Sequence, residues 1–233
     1  MTISTPSSRT ASTVPAFLFD LDGTLIDSVY QHVIAWEQAL ADCGIELSVW
    51  RIHRRIGMSG GLFVNALLRE LGHPLDPEIT TRIQKLHADH FATIANQVRP
   101  LPGASELLRT LTERGVPWAI ATSGHMRSAR HGLEMLGVLE GPAPIITRDL
   151  VERAKPDPDL FLAAAKALDV PIQHSWVIGD SIWDLLAARR AQALGIGLQS
   201  GGYGADELRE TGAYRIYDDP ADLLNHLDEL GVR

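Results

Sequence analysis

Two aspartates one residue apart, Asp20 and Asp22, follow the apolar run Ala16-Phe17-Leu18-Phe19 and precede Gly23-Thr24. Apolar residues cut off by acid and glycine read as a buried strand that stops at a turn. Side chains at i and i+2 of an extended segment share a face. The two carboxylates therefore look into one small space at the carboxyl end of the strand, where parallel sheets bind ligands. Like charges that close repel, and burial strengthens the repulsion. A cation must offset them, and magnesium, which prefers carboxylate oxygens, is the simplest one. Asp and Gly are also common turn residues, so the pair alone leaves an acidic loop open as well.

Three further strand ends carry polar residues. Val116–Ala121 reads as a strand and ends in Thr122-Ser123-Gly124. A hydroxyl and free backbone N–H groups there could hold a phosphate oxygen, or simply cap a helix. Lys155 precedes Pro156, which biases it toward an extended backbone and aims its ammonium at a fixed point; a solvated loop lysine is the alternative. The strand Ser175–Ile178 runs into Gly179-Asp180-Ser181, with Asp184 four residues after Asp180. Positions i and i+4 share a helix face, so these two acids converge near a helix start. Capping by Asp180 or Ser181, with Asp184 favoured by the helix dipole, is compatible with that.

The elements that must position these residues follow from periodicity. After Asp27, Ser28 could cap a helix from Val29 to about Cys43, ending at Gly44. Helices over 48–57, 61–71 and 77–97 follow, with no convincing strand between 29 and 97. From Arg99 onward helix and strand alternate: helix 104–114, strand 116–121, helix 126–136, strand 144–147, helix 158–168 and strand 175–178. Helix 181–192, strand 194–198, helix 205–211, strand 214–217 and helix 220–230 complete the run. Regular alternation means a doubly wound α/β fold, a parallel sheet with helices on both faces. The first strand belongs to that sheet, so the helical block interrupts it. The expected division is a disordered tail over 1–13, an α/β catalytic core over 14–28 and 98–233, and a helical cap over 29–97.

The 233 residues carry a formal net charge of −8. The densest basic cluster, Arg51, Arg54 and Arg55, is too small for a duplex-binding face, so no nucleic-acid partner is expected. No apolar stretch approaches a membrane span. The single cysteine, Cys43, rules out an internal disulfide and fits a reducing, cytoplasmic setting. The tail is rich in Ser and Thr and lacks the apolar centre of a secretory signal.

Taken in chain order, Asp20-Leu21-Asp22-Gly23-Thr24, Thr122, Lys155 and Gly179-Asp180-Ser181-Ile182-Trp183-Asp184 resemble the four motifs of the haloacid dehalogenase superfamily. The helical insertion is similar to that of the subgroup holding phosphoglycolate phosphatases and β-phosphoglucomutases. The resemblance implies a Rossmann-like core and a magnesium-dependent phosphatase of small phosphate esters. By that resemblance Asp20 is nucleophile and metal ligand, forming an aspartyl-phosphate. Asp22 is general acid and then base, with its backbone carbonyl on the metal. Thr122, Ser123 and Gly124 hold phosphoryl oxygens, Lys155 neutralises charge, and Asp180 and Asp184 complete the Mg2+ site.

The loop Arg54-Arg55-Ile56-Gly57-Met58-Ser59-Gly60-Gly61 is the expected specificity loop, where Arg54 or Arg55 reads a substrate anion or lies on a solvated face. His32 and Trp36 follow Asp27 at the spacing seen in β-phosphoglucomutase-like members, so a phosphosugar mutase is the alternative. His32 equally reads as a packed helix histidine. Gly60 stands where those mutases carry the arginine that grips the second phosphate, which favours a simple phosphatase. A non-catalytic phosphometabolite-binding regulator is a third reading. His87 and His90, at i and i+3, could share a metal. The chain is expected to act as a monomer or homodimer.

Overall fold

The computed structural model describes residues 15–72 and 76–232; the tail expected over 1–13 lies outside them. Six parallel strands form the central sheet in the order β5-β4-β1-β6-β7-β8. They are β1 (Ala16–Phe19), β4 (Trp118–Ala121), β5 (Ile145–Ile146), β6 (Ser175–Gly179), β7 (Leu194–Leu198) and β8 (Ala213–Tyr217). β1 lies between β4 and β6, with Leu18 opposite both Ala119 and Val177. Strand order reverses around β1, which opens a crevice at the carboxyl ends of the three central strands.

The strands are short apolar runs because both faces of the sheet are covered. Phe17 and Phe19 point to one side, onto α5 (Ala104–Glu113) and α6 (Met126–Leu136) through Leu107, Leu111 and Leu133. Leu18 points to the other, onto α7 (Asp159–Ala167) and α8 (Ile182–Ala191) through Phe161, Ala164 and Ala187. Each such side chain, removed fully from water, contributes about 1.5–3 kcal/mol. α9 (Ala205–Thr211) and α10 (Pro220–Asn225) finish the chain.

Between 29 and 97 the described residues hold helices only: α1 (Val29–Ala41), α2 (Val49–His53), α3 (Gly60–Glu70) and α4 (Pro77–Ile94), then a 3-10 turn. They share an apolar cluster of their own, with Val33, Trp36, Ile52, Phe63, Leu67 and Ile83 buried together. The two chain crossings that join this block to the sheet are zipped into an antiparallel pair, β2 (Ile26–Asp27) with β3 (Arg99–Pro100). Two-residue strands carry no periodicity, so this pair had no sequence signature.

Three expected elements differ. The helix expected over 48–57 ends at His53, because the chain turns through Gly57 at φ 95°. The helix expected over 220–230 stops at Asn225 and resumes as a 3-10 turn at Leu227, since His226 leaves helical geometry at φ −121°. Ser28 precedes α1 without capping it; its hydroxyl donates to Asp22 Oδ1 at 2.6 Å instead.

Gly103 starts α5 at φ 74°, and a Cβ there would lie 2.5 Å from Ala221 Cα. Gly103→Ala should therefore cost about 1–3 kcal/mol in backbone strain, before any displacement of α10. Thermal denaturation should show a melting temperature lower by several degrees, on the order of 2–4 °C per kcal/mol. An unchanged melting temperature would show that the turn at 103 relaxes out of the left-handed conformation and that α10 gives way to the added methyl.

Candidate active site

Each central strand delivers one polar group to the crevice. Asp20 follows β1, Thr122 follows β4 and Asp180 follows β6, and all three are buried. Asp20, Asp180 and Asp184 lie together, with one ligand oxygen from each within 4.8 Å of the others. Lys155 is fully buried beneath them; its Nζ donates to Asp20 Oδ1 and lies 2.9 Å from Asp184 Oδ1. Lys155 lies in a turn, not in an extended segment, and its peptide bond to Pro156 is cis; its ammonium is nonetheless aimed at the acids.

Two of the three acids feel this crowding. Burial first, then the neighbouring Asp184 and Asp22, push the Asp20 carboxyl up to about 7, against the pull of Lys155. Asp180 is held well above the ordinary carboxylate range by burial, Asp184 and Asp20. Burial would lower Lys155, but Asp184 and Asp20 outweigh it and raise its affinity for the proton. One ammonium for three buried carboxylates leaves room for a further cation. Asp184 Oδ1, although near Lys155, accepts no aligned hydrogen bond.

The surroundings of Asp180 are shaped around it. A Cβ on Gly201 would fall 1.7 Å from Asp180 Oδ2, and one on Gly23 would fall 2.5 Å from it. Thr24 Oγ1 donates to Asp180 Oδ1 at 2.9 Å, and Ser200 Oγ donates to the Gly23 carbonyl. The other oxygen of Asp184 caps α8, accepting from the Ser181 backbone N–H at 3.1 Å and from its hydroxyl at 2.5 Å. Capping and clustering coexist at one side chain. An all-oxygen donor set suits a hard divalent cation.

Asp22 faces the other way. Its Oδ1 accepts from Ser28 Oγ and lies 3.2 Å from His32 Nε2. Burial alone would raise this carboxyl, but His32 and Ser28 hold it below its ordinary value. His32 Nδ1 in turn lies 3.1 Å from His87 Nε2, and its ring stacks on Phe91 with centroids 4.0 Å apart. His90 bonds Asp42 instead, so His87 and His90 do not converge on a metal. Burial and the neighbouring His32 hold His87 well below the usual imidazole range.

A cavity of about 890 Å3 opens over these groups. Asp20, Asp22, His32, Thr122, Ser123 and Gly124 line it, and Lys155, Asp180 and Asp184 sit behind Asp20. Thr122 does not cap a helix; its hydroxyl accepts from the Gly124 N–H at 3.0 Å and shapes the turn. The helical block closes over the crevice through its 57–59 loop. Ser123 Oγ donates to the Gly57 carbonyl, and the Ser59 N–H donates to the Lys155 carbonyl.

Neither arginine of that loop is available in the way expected. Arg54 turns outward to Glu207, and its guanidinium lies 4.2 Å from the Tyr203 ring centroid, outside the cavity. Arg55 lines the cavity, but its guanidinium is taken by Glu70 and the Arg51 carbonyl. Gly201 is the residue the sequence does not point to, while Thr24, Ser28 and His87 stand out in the sequence but make other contacts than it suggests. Thr24 was visible as the last residue of Asp-x-Asp-Gly-Thr; the other three have no local signature for their contacts.

The descriptive family model for haloacid dehalogenase-like hydrolases matches residues 14–192. The chain belongs to that family. It is a phosphatase-type enzyme by its relatives. Hexitol phosphatase A of Escherichia coli is 34% identical over 168 residues, covering 71% of this chain and 74% of that protein. A phosphoglycolate phosphatase of Rhodospirillum rubrum is 29% identical over 214 residues, covering 89% of this chain and 88% of that one. The crystal structure of a hydrolase from Pseudomonas syringae superposes with a TM-score of 0.90 at 53% identity, covering 92% of this chain and 98% of that one. No helix among the described residues is long and apolar enough to cross a membrane.

His87 makes acid stability testable. Its folded value lies below the ordinary 6.5, so below that pH the unfolded chain takes a proton that the folded one refuses. Stability is therefore complete above that range and falls as pH drops through it, by up to about 1.4 kcal/mol per pH unit. Urea denaturation between neutral and mildly acidic pH should show a shallower loss for His87→Phe than for the wild type. Parallel losses would mean that His87 is not held neutral.

Proposed function

We propose that this enzyme hydrolyses a small organic phosphate monoester through a phosphorylated Asp20, with magnesium as its cation and residues 29–97 as a cap over the site. The carrying observation is the position of Asp20. Its carboxylate lines the cavity while Lys155 and the Asp180–Asp184 pair back it from below.

Phosphoryl transfer needs in-line positioning and positive charge around the equatorial oxygens. In the first half, a carboxylate oxygen of Asp20 attacks phosphorus and the bond to the leaving oxygen breaks. The leaving alkoxide takes a proton from the Asp22–His32 pair, two groups 3.2 Å apart at the cavity wall. In the second half, water attacks the phosphorus of the acyl phosphate. Asp22 takes its proton, inorganic phosphate leaves and Asp20 is restored. The carboxylate form of Asp22, favoured by His32 and Ser28, is the form the second half requires. A carboxylate nucleophile thus divides one difficult hydrolysis into two easier steps.

The hydroxyl of Thr122 and the N–H groups of the 122–124 turn orient the phosphoryl oxygens. Lys155 keeps Asp20 and the incoming phosphate from repelling each other. Asp20, Asp180, Asp184 and the Asp22 carbonyl would hold magnesium, which supplies further positive charge to the transferring group when bound. A phosphosugar mutase needs a cationic grip for a second phosphate on the helical side. There Gly60 faces the cavity, Arg55 is bound to Glu70 and Arg54 is outside. A pure binder would need neither the buried Lys155–Asp20 pair nor the held Asp22.

Asp20→Asn should lower phosphate release by at least about a thousandfold, on the scale of losing a nucleophile, with circular dichroism unchanged. Acid-quenched wild-type enzyme should carry phosphate on the Asp20 peptide by mass spectrometry; near-wild-type turnover in Asp20→Asn would reject Asp20 as nucleophile.

Magnesium binds only the folded site, so it should raise the melting temperature relative to chelator. Saturation at a hundred times the dissociation constant adds about 2.7 kcal/mol. Asp180→Asn should abolish most of that shift; an equal shift in both proteins would place the ion elsewhere.

A further inference from the structure

We propose that the leaving-group end of the cavity is built for an uncharged, hydroxyl-rich group, a phosphorylated polyol or monosaccharide, and that Gln84 is its specificity-determining residue. The proposal rests on the phosphatase reading above and narrows its substrate.

The wall opposite Asp20 and Asp22 comes from α1, α3 and α4. Thr81, Gln84 and Ala88 recur at helical spacing along the cavity face of α4. Gln84 Nε2 lies 3.0 Å from where a Cβ on Gly61 would stand, and Trp36 ring carbons lie 3.4 Å from the same point on Gly60. A side chain at 60 would project between Trp36 and Gln84, and one at 61 would press on the Gln84 carboxamide. The two glycines keep that space open and leave the carboxamide bare. Gln84 and the Ser59 hydroxyl make no side-chain hydrogen bond among the described residues. A carboxamide offers two donors and an acceptor together, which matches hydroxyls and gives a carboxylate no counter-charge.

Charge on this wall points the same way. Arg55 shares Glu70 with Arg51 and gives its other Nη to the Arg51 carbonyl, Lys85 is paired with Asp89 at 2.6 Å, and Arg54 is outside. Among the described residues, a substrate carboxylate would find each cation of this wall already engaged. A flat base is disfavoured as well. The Trp36 ring packs on His87 at 3.9 Å and Phe63 at 4.4 Å between centroids, so its edge, not a free face, meets the cavity at Gly60. The competing signal is on the core side of the mouth, where Arg127 and Arg148 also line the cavity. Arg148 already gives Nη1 to the Val151 carbonyl.

The test is steady-state kinetics of the magnesium-loaded enzyme on four esters: a hexitol 6-phosphate, phosphoglycolate, a nucleoside 5′-monophosphate and p-nitrophenyl phosphate. The hexitol ester should exceed phosphoglycolate and the nucleotide in kcat/KM by at least about tenfold. Gln84→Leu should lower kcat/KM for the hexitol ester roughly ten- to hundredfold, mainly through KM, and lower it for p-nitrophenyl phosphate, which has no hydroxyls to lose, by a much smaller factor. Equal losses on both esters would reduce Gln84 to a structural role and overturn the proposal. A preference for phosphoglycolate that disappears in Arg148→Ala would overturn it in favour of carboxylate reading by the core. If p-nitrophenyl phosphate and every other ester go unhydrolysed by the wild type, the phosphatase reading itself fails, a result separate from either loss.

Discussion

A single ammonium buried among carboxylates sets the terms for the head of the sheet. Lys155 is fully enclosed, and it can be so only because Asp20 and Asp184 meet it there. A buried charge without a partner is among the costliest defects a fold can carry. The same arithmetic runs in reverse for the acids, since three carboxylates outnumber one lysine. The core therefore arrives with an excess of negative charge pointed at the cavity. A cation held by these acids would relieve that excess, whereas a phosphate, itself an anion, would add to it, so the second would depend on the first. The glycines around Asp180 serve this end: Gly23 and Gly201 let backbone approach the carboxylate where any Cβ would collide.

The helical block completes the site from above. It has its own apolar cluster and is tethered through the β2–β3 pair. Its 57–59 loop is fastened to the turn that bears Thr122 and to the carbonyl of Lys155. The preceding turn is held as well, its Arg54 carbonyl accepting from the Trp183 and Tyr203 side chains. The charged groups and the helical wall thus come from different parts of the chain: the sheet brings Asp20, Thr122 and Asp180 to the crevice, and the helices bring Trp36, Gly60, Gly61 and Gln84 to the cavity.

His32 links the two parts. It stands on the first cap helix, yet it bonds Asp22 on the sheet side and reaches His87 on the far helix. Its ring is fixed by stacking on Phe91. Placement of the Asp22 carboxylate thus depends on how the helices pack. The lowered proton affinity of His87 follows from its burial beside a second imidazole.

The sequence by itself determined the fold class and the charged centre. Apolar runs ending in Asp20, Thr122 and Asp180 are local patterns, and alternation of strand and helix leaves a parallel sheet few other arrangements. Asp20 and Asp22 share a strand end, Asp180 and Asp184 a helix start, and Pro156 restrains Lys155; each is a relation between near neighbours. Tertiary structure alone decided the partners of long side chains. Arg54 and Arg55 read in sequence either as anion readers or as a solvated face, but Glu207 lies 153 residues from Arg54 and Glu70 lies on α3. Ser28 reads as a cap until Asp22 takes its hydroxyl. Gln84 has no motif at all, and its exposure to the cavity depends on two glycines packed across from it. Backbone pattern is written locally because φ, ψ and side-chain direction repeat over a few residues. Which charge meets which, and which polar group is left free, depends on surfaces that exist only after the chain has folded.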